Sequence, residues 1–153
     1  MTEYAGPYPY VYARQIHWGE TDAGGIVYTG QFLDFMMEAT EMWWRDVVGP
    51  DWYGLKVDHD MGSPMVHASL DFSKPVYDGE ILDLTVIVEK LGASSITHAI
   101  AGHGPDGTLR FRGKLVAAVV TLTPFKAVPV PENWRDRIEK YIEACENLDA
   151  THA

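Results

Sequence analysis

Residues 31–48 constrain the fold more than any other part of the chain, because apolar side chains recur there with the period of an α-helix. The apolar face consists of Phe32, Phe35, Met36, Ala39, Met42, Trp43 and Val47, and the opposite face of Asp34, Glu38, Glu41 and Arg45. Leu33, Met37 and Trp44 widen the apolar face. We therefore predict a helix about 27 Å long that other elements must cover on most of its circumference.

Strand-like runs surround this helix. Residues 8–18 alternate aromatic or β-branched residues with others, which predicts a first strand. Gly49 and Pro50 end the helix, and we expect an irregular polar stretch from there to residue 63. Short connections that favour antiparallel hairpins separate four further predicted strands, at residues 65–72, 80–91, 94–102 and 108–123.

The order of these elements is typical of an α+β protein. One strand, one very apolar helix and four consecutive strands predict a helix covered by a single antiparallel sheet that curls around it. A proline-rich connection then leads to a C-terminal helix with one apolar face, formed by Trp134, Ile138, Tyr141, Ile142 and Cys145. With 153 residues, of which 46% are hydrophobic, the chain is predicted to form one domain over residues 1–153.

Composition and charge exclude several classes of function. The formal net charge of -10 repels the phosphates of nucleic acid. The longest apolar run, residues 115–122, is too short to span a bilayer, and residues 1–12 lack the features of a secretory signal. Cys145 is the one cysteine, which excludes an internal disulfide and a cysteine-based zinc site. We predict a cytoplasmic protein with no membrane partner.

Several short motifs are better explained by structure than by function. Residues 102–107 match a dinucleotide-binding glycine pattern but precede a strand rather than a helix, so we predict a hairpin turn. Residues 58–60, Asp-His-Asp, are predicted to form a solvated loop rather than a metal site, and no metal is expected. No motif of a serine hydrolase or zinc protease occurs. Hydrogen-bonded structural roles are predicted for His17, His67, His98 and His103.

Asp22 is the strongest candidate for chemistry. It lies in a loop just before the apolar helix, and Gly24 and Gly25 let the backbone between them turn and approach a ligand closely. The first amides of a helix are unpaired donors, and the helix dipole favours negative charge there. One interpretation is therefore that Asp22 takes no part in chemistry and serves as a loop cap or as an anion at the helix start.

The same arrangement could also hydrolyse a thioester. A thioester carbonyl is electrophilic, and its thiol, with a pKa of about 8.5 if it resembles cysteine, leaves as thiolate without much help from an acid. A single carboxylate can then attack the carbonyl carbon or draw a proton from an attacking water. Helix amides stabilise the resulting oxyanion. One Asp and one helix N-terminus thus form a minimal thioesterase site.

Residues 18–28, Trp-Gly-Glu-Thr-Asp-Ala-Gly-Gly-Ile-Val-Tyr, resemble the signature of the 4-hydroxybenzoyl-CoA thioesterase family of hotdog proteins. The resemblance continues through residues 73–82, similar to the family's aromatic-Pro-Gly-Asp hairpin, through the turn at 91–95 and through the closing strand and proline-rich exit at 121–131. It implies a hotdog fold, in which a five-stranded antiparallel sheet wraps a long central helix. It also implies homodimers or homotetramers with active sites between subunits.

The resemblance assigns roles to particular residues. Asp22 matches the catalytic carboxylate, and Thr29 and Gly30 provide the amide that polarises the thioester carbonyl. At Thr29 the family commonly carries His or Tyr, so the resemblance assigns no role to the Thr29 side chain. Substrate contacts are expected from Gly25, Ile26, Val27, Tyr28 and from Trp52, which matches an aromatic residue of the acyl pocket. CoA contacts are expected at strand ends, from Lys90, Ser94, Arg112 and Lys114, of which the last two share one sheet face.

Hydrolysis of an acyl-CoA thioester, with an aromatic acyl group favoured by Trp52, is the function predicted from these residues. No cofactor is expected, because CoA is part of the substrate. A non-catalytic acyl-CoA binding module on the same scaffold is the main alternative. A hotdog dehydratase acting on hydroxyacyl thioesters ranks lower, because the central helix contains no histidine.

Overall fold

The structure is a computed structural model that describes residues 3–152, with side chains described as far as Leu148. Met1, Thr2 and Ala153, which the predicted domain includes, lie outside the described residues. In chain order the elements are β1 Tyr10–Gln15, a 3₁₀ turn Trp18–Glu20, α1 Gln31–Trp43, a π-helical turn Trp44–Val48, α2 Trp52–His59, β2 Met61–Gly62, β3 Met65–Phe72, β4 Ile81–Leu91, β5 Ser95–His103, β6 Leu109–Ala118, β7 Val120–Leu122, β8 Phe125–Ala127 and α3 Glu132–His152.

The predicted α+β architecture is confirmed. Five strands form an antiparallel sheet in the order β1-β4-β5-β6-β3, with α1 against one face. In the register of this sheet, Val86 on β4 lies between Tyr10 on β1 and Ile100 on β5. A second sheet has the order β2-β7-β8. Because β1 and β3 are the edges of the larger sheet, each leaves one row of backbone groups without a strand partner within residues 3–152.

The core lies between α1 and the sheet. Phe35, Met36 and Trp43 of α1 are fully buried, and each contributes about 1.5–3 kcal/mol by leaving water. β6 lies close to the helix at Gly113, where a Cβ atom would lie 2.4 Å from the Met36 sulfur and 2.5 Å from the Ser69 carbonyl oxygen. Only glycine fits there without displacing the helix or β3.

α3 closes one side of this core, and its predicted apolar face is confirmed. Trp134, Ile138, Tyr141 and Cys145 are buried, and Ile142 is partly buried. The Tyr141 hydroxyl accepts a hydrogen bond from the Tyr10 amide (2.8 Å) and donates one to the Val86 carbonyl (2.5 Å). It therefore ties α3 to the point where β1 meets β4.

The central helix ends differently from the prediction. Residues 44–48 form a wider π-helical turn, in which the Gly49 amide bonds to the Trp44 carbonyl oxygen at 2.8 Å. This turn buries Trp44, Val47 and Val48 together. Gly49 has a φ of 140°, a region that favours glycine, and this ends the helix.

The prediction of an irregular stretch up to residue 63 is wrong, because α2 and β2 lie within it. Asp51 caps α2 by accepting a hydrogen bond from the Gly54 amide at 2.7 Å. Leu55 anchors the helix in the core with 2% of its surface exposed. Asp60 ends α2 with a φ of 52°, and its carboxylate accepts a hydrogen bond from the Thr123 amide at 3.2 Å. Residues 58–60 thus belong to a helix end rather than to a loop.

Two predicted strands are too long. The first strand is limited to Tyr10–Gln15, and Trp18 lies in the 3₁₀ turn with 81% of its surface exposed. The predicted run 108–123 divides at Val119, whose amide bonds to the Ser94 carbonyl oxygen at 2.8 Å instead of continuing the ladder. Its last residues pair in the second sheet. The predicted hairpin turn at residues 102–107 is confirmed by the Gly107 amide bonding to the Gly104 carbonyl oxygen at 2.9 Å.

His98 differs from its predicted hydrogen-bonded role. It is fully buried on β5 and meets the Trp43 ring edge-on, with ring centroids 4.5 Å apart. Within residues 3–152, neither ring nitrogen of His98 has a hydrogen-bond partner, because an indole ring and apolar side chains surround it. Burial lowers the pKa of His98 to about 3, so the ring is neutral in the folded protein near neutral pH.

Replacing His98 with leucine is expected to make folding less sensitive to acid. The unfolded chain binds a proton at His98 below about pH 6.5, whereas the folded chain does not until about pH 3. As pH falls through this window, His98 lowers the free energy of unfolding by about 1.4 kcal/mol per pH unit. Urea unfolding at a series of pH values should show that His98→Leu removes this contribution.

The same substitution at exposed His67 is the control, because that histidine is solvated in both states. His67→Leu should leave the parent slope nearly unchanged. Equal slopes for the parent and His98→Leu would contradict the account of His98 as a buried neutral ring.

Candidate active site

The loop that carries Asp22 is a compact hairpin. The Asp22 amide donates to the Ile26 carbonyl oxygen (2.8 Å), and the Gly25 amide donates to the Asp22 carbonyl oxygen (3.0 Å). Gly25 has a φ of +81°, so the turn favours glycine at this position. One carboxylate oxygen of Asp22 accepts a hydrogen bond from the Gly24 amide at 2.8 Å. The Asp22 side chain is exposed but held by its own turn.

Backbone hydrogen bonds attach this hairpin to its neighbours on both sides. The Tyr28 amide donates to the Glu20 carbonyl oxygen at 3.0 Å, and the Val27 amide donates to the Val76 carbonyl oxygen at 2.8 Å. Ile26 forms a bridge with Tyr77. The hairpin is therefore fixed between the 3₁₀ turn and the connection from β3 to β4.

The start of α1 offers the unpaired amides that the sequence predicts. Gly30 is the N-cap residue, and within residues 3–152 the backbone amides of Thr29 and Gly30 make no hydrogen bond. Tyr28 covers this end of the helix, and a Cβ atom at position 30 would lie 2.8 Å from its ring. Such amides, together with the helix dipole, favour an anion or a polarised carbonyl oxygen.

A cleft of about 360 Å³ opens beside these amides. The hairpin, the helix start and the connection after β3 supply its lining, which consists of Ile26, Val27, Thr29, Phe32, Phe72, Ser73, Lys74, Pro75 and Val76. Phe32 meets Phe72 and Phe111 edge-on, with ring centroids 5.1 and 4.9 Å apart. An apolar cleft of this kind with a few polar groups suits a small organic ligand.

Asp22 belongs to the hairpin that forms one wall of the cleft but is not itself among the lining residues. Trp52 is half-buried on α2, where it packs against the core, and it is not a lining residue either. The structure brings two predicted substrate contacts, Ile26 and Val27, and the predicted catalytic residue Thr29 to one cleft. The remaining predicted site residues of this segment, Gly25, Tyr28 and Gly30, are not among its lining residues.

The predicted CoA contacts lie away from this cleft. Arg112 and Lys114 share one face of the sheet, as predicted, but they lie in the middle of β6 rather than at strand ends. They line a concavity of about 550 Å³ together with Ala99 and Ala101 of the neighbouring strand, and Lys114 pairs with Glu89 at 3.0 Å. Within one chain, the sheet separates this concavity from α1.

Lys90 and Ser94 also lie outside the cleft beside Thr29. Lys90 is exposed on β4, and Ser94 lies in the turn before β5, where its carbonyl oxygen accepts the Val119 hydrogen bond. The cation that does line the cleft is Lys74, which is exposed and without an ion pair among the described residues. The sequence around Lys74, which lies between Ser73 and Pro75 in a hairpin, does not predict that this lysine lines a cleft.

Arg110 fixes the wall that carries Lys74. Its guanidinium is 7% exposed and donates to the Pro75 carbonyl oxygen (2.8 Å) and to both carboxylate oxygens of Glu80 (3.0 Å). The hydrogen bonds to Glu80 raise the pKa of Arg110, so the guanidinium remains charged. A Cβ atom at position 104 would lie 2.3 Å from the guanidinium, which explains why glycine occupies the preceding turn.

Neither a metal cluster nor a membrane-spanning helix is found in the described part of the chain. Residues 3–152 contain no group of three or more His, Cys, Asp or Glu side chains arranged to hold an ion. No helix in the same range combines the length and apolar character needed to cross a bilayer.

Comparison with known proteins identifies the family. The profile of the thioesterase-like superfamily matches residues 16–138. The chain belongs to this superfamily. The match includes the Asp22 hairpin, α1 and all strands of the larger sheet except the first. Membership confirms the predicted hotdog fold and thioesterase class, whereas the narrower resemblance to 4-hydroxybenzoyl-CoA thioesterases stays a prediction.

Relatives of this superfamily member agree with its assignment as a thioester hydrolase. A 1,4-dihydroxy-2-naphthoyl-CoA hydrolase from Picosynechococcus sp. is 39% identical over 80 residues, which span 52% of this chain and only 54% of that protein. A hydrolase of the same name from Synechocystis sp. is 28% identical over 141 residues, or 84% of this chain and 94% of the relative. The crystal structure of a thioesterase superfamily member from Jannaschia sp. CCS1 aligns at a TM-score of 0.84 and 32% identity, covering 93% and 99% of the two chains.

Proposed function

We propose that this protein hydrolyses a CoA thioester of an aromatic acid to the free acid and CoA. The observation that carries the proposal is the pair of unpaired amides, Thr29 and Gly30, at the mouth of an apolar cleft beside the Asp22 hairpin. The aromatic rings of Phe32 and Phe72 suit a flat acyl group. Relatives named for hydrolysis of a bicyclic aromatic CoA thioester support the same substrate class.

In the proposed reaction, the thioester carbonyl oxygen accepts hydrogen bonds from the amides of Thr29 and Gly30. Asp22 either attacks the carbonyl carbon, giving an anhydride that water then hydrolyses, or takes a proton from a water molecule that attacks directly. The carbon–sulfur bond breaks and CoA leaves as thiolate, which is then protonated. Gly25, Ile26, Val27 and Tyr28 orient the acyl group, and the reaction requires no cofactor. A cytoplasmic location remains part of the proposal.

Replacing Asp22 with asparagine tests this mechanism. The substitution keeps the shape and the Gly24 hydrogen bond but removes the charge and basicity, so kcat on an aromatic acyl-CoA should fall by about 10²–10⁴-fold. Release of free thiol from a panel of aromatic and aliphatic acyl-CoAs measures the activity and the acyl preference.

Asp83→Asn is the matched control, because Asp83 is an exposed aspartate on β4 outside the cleft. It should retain the kcat of the parent. Parent-like turnover in Asp22→Asn would exclude the carboxylate from the chemistry. Tight thioester binding without turnover by the parent would favour the alternative function, a non-catalytic acyl-CoA binding module, which the position of Asp22 outside the cleft lining leaves open.

The proposal includes a homodimer or homotetramer. Trp52 does not line the cleft of its own chain, and a second chain packed beside the cleft would add its own side chains to the surface that meets the substrate. β3 is an edge strand of eight residues, and it exposes Val66 (66%) and Phe72 (50%). A long edge strand with exposed apolar side chains favours pairing with another chain.

A charge on this edge should weaken assembly. Val66→Lys places an ammonium group on β3, and desolvating it opposes pairing, so the variant should sediment as the 17.1 kDa chain at concentrations at which the parent is at least dimeric. Val57→Lys, on the exposed face of α2, is the control and should assemble as the parent does. A monomeric parent with full activity would contradict this part of the proposal.

Lys74 is proposed to contact the phosphates of CoA, because it is the cation among the described lining residues of the cleft. Four other residues remain predicted CoA contacts, namely Lys90, Ser94, Arg112 and Lys114. Because they lie away from the cleft of their own chain, they would contact CoA bound to a neighbouring chain.

Lys74→Met should raise KM for acyl-CoA by about fivefold at most, since an exposed ion pair contributes up to about 1 kcal/mol. The change in kcat should be small, and the effect on KM should shrink at high salt. Lys126→Met, at an exposed lysine on β8, is the control. Steady-state kinetics with acyl-CoA and with the same acyl group on N-acetylcysteamine, which lacks phosphates, separates the two ends of the substrate. An equal loss with both thioesters would exclude a phosphate contact.

A further inference from the structure

A single guanidinium joins three elements that surround the candidate site. Arg14 on β1 donates from Nε to one carboxylate oxygen of Glu38 on α1 at 2.6 Å. Its two terminal nitrogens face the Glu20 carboxylate, with contacts of 2.6 Å to each oxygen. The guanidinium also lies over the Phe35 ring, 4.4 Å from the ring centroid. Planar arginine can make these contacts at the same time, whereas lysine cannot.

This cluster is shielded from water, and its charges are stable. The side chains of Arg14 and Glu20 are only 15% and 14% exposed. Burial opposes the charged form of Arg14, but the hydrogen bonds that it donates to Glu20 and Glu38 outweigh this effect and raise the pKa of Arg14. Burial likewise opposes the charged form of Glu20, but the hydrogen bond that its carboxylate accepts from Arg14 outweighs this effect and lowers the pKa of Glu20. Arg14 and Glu20 therefore remain ionised at neutral pH.

Glu20 connects the cluster to the Asp22 hairpin. Its carboxylate also accepts a hydrogen bond from the His17 amide at 2.9 Å, which fixes the 3₁₀ turn before the hairpin. Its carbonyl oxygen accepts the hydrogen bond from the Tyr28 amide at 3.0 Å, which fixes the residue after the hairpin. Both ends of the hairpin are thus held through one residue whose carboxylate is bound to Arg14.

Glu38 connects the same guanidinium to the central helix, about two turns after the amides of Thr29 and Gly30. Removing Arg14 would therefore loosen the hairpin and the helix start relative to each other. A displacement of about 1 Å between groups that act on one substrate can lower a rate by about 10²-fold. A buried ion pair adds little net stability by itself. The main consequence of removing Arg14 would therefore be a change in the geometry of the site rather than a loss of stability.

We propose that Arg14 is a positioning residue that sets the distance between the Asp22 carboxylate and the amides of Thr29 and Gly30. It acts through Glu20 on the hairpin and through Glu38 on the helix, and it touches no reacting atom. This inference rests on the proposed function, because it assigns Arg14 to the reaction of the same site.

Arg14→Met and Glu20→Gln test the role by kinetics. Each single variant should lower kcat on aromatic acyl-CoA by about 10- to 100-fold and change KM by less than about threefold. The double variant should be little worse than either single variant, because both break one connection. Arg14→Lys should recover only part of kcat. Arg45→Met is the control, because Arg45 is exposed and, among the described residues, pairs only with its neighbour Asp46.

The thermal midpoint of each variant separates positioning from stability. Assays well below that midpoint should still show the loss of kcat in Arg14→Met, while Arg45→Met keeps parental kcat. A lower midpoint with parental kcat would overturn the inference and leave Arg14 as a stabilising residue. Glu20→Gln, which keeps the size of the side chain, provides the test if Arg14→Met does not fold.

Amide exchange provides a readout that does not depend on activity. The Gly25 amide, which bonds to the Asp22 carbonyl oxygen, and the Gly24 amide should exchange faster with solvent in Arg14→Met than in Arg45→Met. Equal exchange would overturn the inference even if activity falls. A parent chain that hydrolyses no acyl-CoA would instead overturn the proposed function, and the exchange rates would still show whether Arg14 holds the hairpin.

Discussion

The burial of α1 beneath the sheet is the constraint on which the rest of the structure depends. A helix with Phe35, Met36 and Trp43 fully buried must be covered, and β6 comes close enough only because Gly113 has no side chain. Once the sheet has curled around α1, the helix N-terminus is left at its rim. The amides of Thr29 and Gly30 are therefore displayed beside a cleft rather than buried in the core.

Two charged clusters hold the walls of this cleft, and each has an arginine at its centre. Arg14 joins the Asp22 hairpin to α1, and Arg110 joins the connection after β3 to the start of β4 through Glu80. The chain has a net charge of -10, and both arginines pair with carboxylates of the protein itself rather than with a ligand. Among the described residues that line the cleft, Lys74 is therefore the cation available to an anionic ligand.

The sequence predicted the elements with strong periodicity and failed where local contacts decide. β3 has its predicted bounds because polar residues and prolines delimit it, and α1 begins at its predicted residue. α2 was missed because it has no continuous apolar face: Leu55 is its fully buried residue, Trp52 is half-buried and Val57 is exposed. Periodicity also cannot reveal a π-helical turn or the break at Val119, since both depend on which carbonyl a particular amide reaches.

The candidate site was likewise predictable from the sequence only in part. The hairpin and the helix amides were predictable because they are contiguous in sequence, whereas the Arg14, Glu20 and Glu38 cluster joins residues that only the fold brings together. Arg112 and Lys114 are a different case: their shared face follows from strand periodicity, but which face of the sheet that is depends on where α1 packs. The carboxylate proposed to be catalytic is exposed on a hairpin and its proposed amide partners lie on a different element, so their relative geometry depends on such long-range contacts. That dependence explains why the residues joining the two elements matter as much to the proposed chemistry as the residues within them.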